Sequence, residues 1–186
     1  MGVVFVGSVC FAAKLKPNSC DESLLPVGVK QALISEFTSW RVLKAEDLPL
    51  EHQNIWREAK PEQCPGIAVG TFEPRAGLSY ALSLIPRSAN SDGYRIVVLT
   101  KNAQDVYLSQ LIGGLDEPVH RQVIYRVPSG RYPPGAEGTE RIRLIRDGFK
   151  VEEIGVGATL YYWEDARYVE WYRSRRHSEL GGVVVR

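Results

Sequence analysis

The chain is poor in the residues from which metal and redox centres are built: three cysteines, three histidines and one methionine in 186 residues. His52, His120 and His177 lie in different segments, and none has a second His or Cys at ligand spacing. A structural zinc site wants four such ligands at short spacings, so no metal is assigned. An excess of one charge is lacking too: 23 basic against 22 acidic residues leave +1. No bulk field then marks nucleic acid or an acidic membrane as the partner. No apolar run reaches the roughly 20 residues that a spanning helix needs, which argues against a membrane span. The Gly-x-Ser-x-Gly nucleophile turn is absent, and Gly155-Val156-Gly157 is followed by Ala158 without the later glycine and lysine of a phosphate loop. No cofactor follows from any motif.

Carboxylates are present but not arranged for acid–base work. Glu152 and Glu153 are adjacent in a strand-like segment, so they point to opposite faces and cannot share one substrate. Asp116 with Glu117, and Glu164 with Asp165, sit in predicted turns, where acids are commonplace. A small hydrolase acting on envelope or carbohydrate material stays open only through acids distant in sequence.

With 44% apolar and 10% aromatic residues, the length suits one core and one domain, over 14–176, with a loose tail at 177–186. From Leu25 to Trp40 apolar residues recur every four positions (Leu25, Val29, Leu33, Phe37), which predicts a helix that Pro26 opens. A second helix is predicted from Pro49 to Ala59, capped by Asp47, with Ile55 and Trp56 on its buried side. Beyond Gly66 the period drops to two. Leu78, Tyr80, Leu82 and Leu84 alternate with smaller residues, the pattern of a strand buried on one face. YRIVVLT, VYLSQLI, RQVIYRV, RIRLI, FKVEEIGV, ATLYYW and RYVEWYR follow, and Asp147-Gly148 is the strongest hairpin signal. The expected fold is α+β: two N-terminal helices packed on one face of a largely antiparallel meander sheet of about eight strands.

The first 13 residues, MGVVFVGSVCFAA, carry no charge and stop at Lys14 and Lys16. Their length suits an export signal with Ala12 and Ala13 at the cleavage site, although the basic start is missing. The competing reading is a buried first strand, Val3 to Phe11. If Cys10 leaves with a signal, Cys20 and Cys64 remain as an even pair that an oxidising compartment would join. Two independent buried thiols are the alternative.

The densest aromatic stretch closes the chain. Tyr161, Tyr162, Trp163, Tyr168, Trp171 and Tyr172 fall within twelve residues, with Arg167, Arg173, Arg175 and Arg176 among or after them. Strand alternation places aromatics on both sides of this hairpin, so one set can join the core while the other faces water. Cross-strand pairing accounts for such a pattern structurally; recognition does so functionally, since Tyr, Trp and Arg are enriched at interface hot spots. The long Pro-rich loop 128–138 adds Arg131 and Tyr132. The candidate binding residues are therefore Tyr161, Trp163, Tyr168, Tyr172, Arg131 and Tyr132.

The segment GIAVGTFEPRAGLSYALSLI, from Gly66 to Ile85, resembles the strand-turn-strand of FG-GAP or VCBS-type repeat proteins and of uncharacterised exported bacterial proteins with similar hairpins. Those calcium-binding turns carry several aspartates, whereas this one reads Glu73, Pro74, Arg75, Ala76, Gly77, so the oxygen cage of 6–8 ligands is missing. The resemblance implies a periplasmic or extracellular location and no activity. The expected function is a secreted protein-binding or inhibitor-like module that recognises an unknown protein or envelope ligand. A structural subunit joined through exposed strand edges is a further alternative.

Overall fold

The computed structural model describes residues 20–74, 77–88, 91–116, 121–132 and 141–173, with backbone only for 172 and 173. Segment 1–13 and the tail 177–186 lie outside the described residues. The chain is α+β with antiparallel sheets, but the strands divide among separate sheets instead of forming one meander.

Helix α1 spans Val27–Glu36 and buries Val29, Ala32 and Leu33. It stops four residues short of the apolar stripe predicted to Trp40. Phe37 leaves helical geometry at φ −125°, and the Trp40 N–H donates to its carbonyl at 2.8 Å. Thr38 and Ser39 are poor helix formers, so the chain turns and Trp40 opens strand β1 (Trp40–Val42). Helix α2 spans Leu50–Ala59 as expected and buries Trp56. Asp47 is not its cap, because Pro49 occupies that position. The Asp47 carboxylate instead accepts two bonds from the Arg41 guanidinium, both 2.6 Å, and one from the Lys44 N–H at 2.8 Å.

The first sheet contains β1, β2 (Ile67–Gly70), β3 (Ser79–Pro86), β4 (Tyr94–Lys101) and β5 (Tyr107–Leu115). Strand β3 is central. β1 and β2 lie end to end along one of its edges, and β4 followed by β5 extends the other. A second sheet runs in the order β11 (Arg167–Arg173), β10 (Gly157–Glu164), β9 (Gly148–Glu153), β6 (Gln122–Val127). A separate two-stranded ribbon joins β7 (Gly130–Tyr132) to β8 (Ile142–Leu144).

Two covers are needed because β3 and β4 are apolar on both faces, not on the single face that alternation suggested. Tyr80, Leu82, Leu84, Val97 and Leu99 meet Leu25, Val29 and Leu33 of the α1 region on one side. Ala81, Ile96 and Val98 meet Ile124, Phe149 and Val151 of the second sheet on the other. Each fully buried leucine or valine contributes about 1.5–3 kcal/mol, so leaving either face wet would cost several such increments. The helices therefore do not share one face. α1 covers the outside of the first sheet, while Trp56 of α2 packs with Leu43, Ile85, Val123, Tyr125 and Ile154 where the sheets meet. At that junction the Ile124 N–H donates to the Pro65 carbonyl at 2.7 Å, and the buried Ser83 hydroxyl donates to the Gln122 carbonyl at 2.6 Å.

Asp147-Gly148 is not a hairpin turn. β8 pairs with β7, and β9 pairs with β6 and β10, so the chain changes sheets at this dipeptide. Gly148 is required by close approach, since a Cβ there would lie 2.7 Å from the Tyr161 carbonyl oxygen. The Asp147 side chain is buried and holds three segments together. It accepts from the Thr71 N–H (3.0 Å), the Ser129 N–H (3.1 Å) and the Arg126 guanidinium (3.0 Å).

The Cys20 and Cys64 sulfurs are at disulfide distance, with their Cα atoms 5.1 Å apart. The pair ties the chain ahead of α1 to the start of β2, against the core beneath α1. Among the described residues no helix is long and apolar enough to cross a membrane.

Candidate functional site

The β10–β11 hairpin turns through Asp165 and Ala166, both with positive φ (47° and 63°). Two such residues match the right-handed strand twist in a two-residue turn. The register sets Trp163 opposite Tyr168, Tyr162 opposite Val169 and Tyr161 opposite Glu170. Directly opposed residues share a face, so the aromatics separate by parity.

One set turns inward. Tyr161 stacks on Phe149 with ring centroids 5.4 Å apart and planes 14° apart, and Tyr168 tilts against the same ring at 5.6 Å. Trp163 packs edge-on against Tyr168 at 5.0 Å. The Tyr168 hydroxyl donates to the Glu73 carboxylate at 2.9 Å, and Thr100 donates to the same oxygen at 2.9 Å. Burial, reinforced by the Glu73 charge, pushes the Tyr168 phenol well above its ordinary range. It is a neutral donor at every physiological pH. Three of the six sequence-predicted binding residues, Tyr161, Trp163 and Tyr168, thus pack on or beside the core between the sheets.

The other set turns outward, where the β7–β8 ribbon meets the second sheet. Tyr132, Tyr162 and Trp171 are half-buried over Val127, Ile142, Leu144 and Leu160. The Tyr132 hydroxyl donates to the Pro128 carbonyl at 2.5 Å, and Tyr162 donates to Glu164 at 3.2 Å. Both phenols are shifted upward, first by burial and then by carboxylates, Asp147 for Tyr132 and Glu164 for Tyr162. A register shift between Leu160 and Tyr161 sets Glu170 opposite Tyr161 and Tyr172 opposite Leu160. Such a bulge changes which side chains reach a given face.

Strand β8 alternates cleanly. Ile142 and Leu144 point into the core, so Arg141 and Arg143 point out, and Arg131 of β7 lies directly opposite Arg143. All three arginines are exposed, and among the described residues none has a side-chain ion pair or hydrogen bond. Like charges directly opposed in a ribbon are destabilising by a few tenths of a kcal/mol up to ~1. Together with Tyr132 and Ile142 they line a shallow concavity of about 420 Å³. Arg131 and Tyr132, read from the loop, therefore do lie in one ribbon with Arg143. Sequence reasoning missed Arg141 and Arg143 as members of this face, and Tyr162 and Trp171 as residues that the ribbon covers from its other side. The signal was present in the alternation of RIRLI, but its outward side needed β7 as a partner to become a cluster.

Elsewhere, a concavity of about 500 Å³ lies beside Glu73, Val98, Thr100, Leu108 and Gln110. Glu152 is fully buried on β9 and accepts from the Tyr125 hydroxyl at 2.7 Å. Among the described residues no group of three or more His, Cys, Asp or Glu side chains is placed to hold a metal ion. Comparison with protein-family models, with curated proteins and with solved structures found no match to this chain.

Proposed function

We propose that this protein is an extracytoplasmic binding module, protein-binding or inhibitor-like, whose recognition surface is the outward face of the β7–β8 ribbon and the adjoining β10–β11 hairpin. The observation that carries the reading is the set of three outward arginines, Arg131, Arg141 and Arg143, with no described acidic partner, which share one shallow concavity with the half-buried Tyr132. Tyr132 supplies rigid contact area, and the arginines supply hydrogen-bonding forks that fit carboxylates. The partner is accordingly a protein surface bearing acidic residues. Chain-wide charge balance, +1, adds no positive field around these arginines, which favours such a local fit over a polyanion. The extracytoplasmic location is supported by the Cys20–Cys64 pair and by the resemblance of the Gly66–Ile85 hairpin to those of exported proteins.

The test is capture on the immobilised protein from the native extracytoplasmic fraction, with R131E/R143E as the matched bait. Wild type should retain an acidic protein that the double variant loses, and added salt should weaken the capture, since these charges are exposed. Equal capture by both baits would remove this face as the site.

A further inference from the structure

Like charges gathered on one short ribbon destabilise it unless something answers them. Arg131 and Arg143 stand directly across the β7–β8 ladder, and Arg141 lies two residues along from Arg143 on the same side. Their Cα atoms are about 5 Å apart across the ladder and about 7 Å apart along the strand, distances that arginine side chains can close. All three line the one concavity of about 420 Å³.

The fold brings no anion of its own to this place. Asp147, whose charge reaches Tyr132, is buried, and its two oxygens are taken by Arg126, Thr71 and Ser129. Tyr132 turns its hydroxyl to the Pro128 carbonyl, so what it adds to the concavity is ring surface. Among the described residues no side chain accepts from Arg131, Arg141 or Arg143, and each guanidinium keeps its N–H donors for an outside acceptor.

That acceptor has to be compact and carry more than one charge. A carboxylate brings one charge and two oxygens, which engages one guanidinium fork and leaves two positive charges side by side. A phosphate monoester brings a charge of about −1.5 to −2 at pH 7 and three terminal oxygens, one for each arginine. A polyanion gains its affinity from a wider basic surface, which a chain of net charge +1 does not offer.

Resting on the reading of this face as the recognition surface, we infer that the group entering the concavity is a phosphate monoester, borne on a side chain of the partner protein and held by Arg131, Arg141 and Arg143 together. The Tyr132 ring supplies the apolar wall for the carbon stem of that side chain.

NMR titration of the full, disulfide-intact chain tests the assignment with three probes: N-acetyl-O-phosphoserine amide, its O-sulfoserine counterpart and N-acetylglutamate amide. The sulfate has three oxygens but a single charge, so the series separates shape from charge. The phosphate should bind roughly tenfold more tightly than either monoanion. R131Q, R141Q and R143Q should each weaken it severalfold with circular dichroism unchanged and melting unchanged or higher, since one of three repelling charges is gone. R131K, which keeps the charge and loses the fork, should weaken it as well. R57Q, on α2 and outside the concavity, should bind as wild type does. Phosphoserine amide that binds no better than glutamate amide overturns the phosphate assignment; the arginine face then survives if R131E/R143E still loses the captured acidic protein. Sulfate equal to phosphate overturns it too, because charge then decides nothing. Phosphate binding indifferent to all three glutamine variants places the anion elsewhere and overturns the site. Equal capture by wild type and R131E/R143E is the separate result that removes the face itself, and this inference with it.

Discussion

Replacing Asp147 by asparagine isolates the junction at which the chain changes sheets. The wild-type carboxylate receives the Thr71 N–H and hydroxyl on one oxygen, the Ser129 N–H on the other, and the Arg126 guanidinium on both. An amide of the same shape converts one acceptor oxygen into a donor that faces these donors. Hydrogen bonds to a buried charged group are worth about 1.5–3 kcal/mol each. Arg126 is half-exposed and can recover water, which discounts its share. The expected loss for Asp147→Asn is therefore about 2–3 kcal/mol at pH 7, read from urea unfolding at an unchanged m-value. Burial acts to raise the carboxyl pKa, but the bonds from Arg126, Thr71 and Ser129 outweigh it and hold the pKa below the usual aspartate value. The group binds its proton less readily when folded than when unfolded. Its stabilisation is present above the unfolded value, near pH 3.9, and is lost as pH falls through the folded one. The gap between wild type and variant should thus narrow as pH falls below the unfolded value. A gap under ~1 kcal/mol at neutral pH, or one that persists undiminished at pH 2, would refute the account of Asp147 as the charged clasp.

Two other perturbations follow from local geometry. Ala166 is exposed and left-handed at φ 63°, so Ala166→Gly should stabilise the protein by about 0.5–1 kcal/mol, the relief of the Cβ clash exceeding the added unfolded-state entropy; a lower urea midpoint would contradict the turn geometry. Reduction of the Cys20–Cys64 pair, 44 residues apart, should cost about 2–4 kcal/mol and add two hydrogens to the intact mass; an unchanged mass on reduction means that the thiols are free.

Much of the fold was legible because local signals acted alone. Helix α2, the β2–β3, β3–β4, β4–β5 and β10–β11 hairpins, and the α+β class follow from periodicity and turn chemistry, which depend only on neighbours in the chain. Errors arose where a signal had two physical solutions. The apolar stripe through Phe37 and Trp40 satisfied a helix, yet Trp40 gained a strand partner at Pro86. Asp147-Gly148 satisfied a hairpin turn, yet the buried carboxylate found donors on Thr71, 76 residues away.

The candidate site divides in the same way. Alternation alone determined that Tyr161 and Trp163 oppose Tyr162, and that Arg141 and Arg143 oppose Ile142 and Leu144. It did not determine which side of each strand would be covered. That was decided when Phe149 met the inward aromatics and the β7–β8 ribbon met the outward ones. A strand's period is set by the backbone of one segment. Burial is set by a second surface that arrives from elsewhere in the chain, and only tertiary packing supplies it.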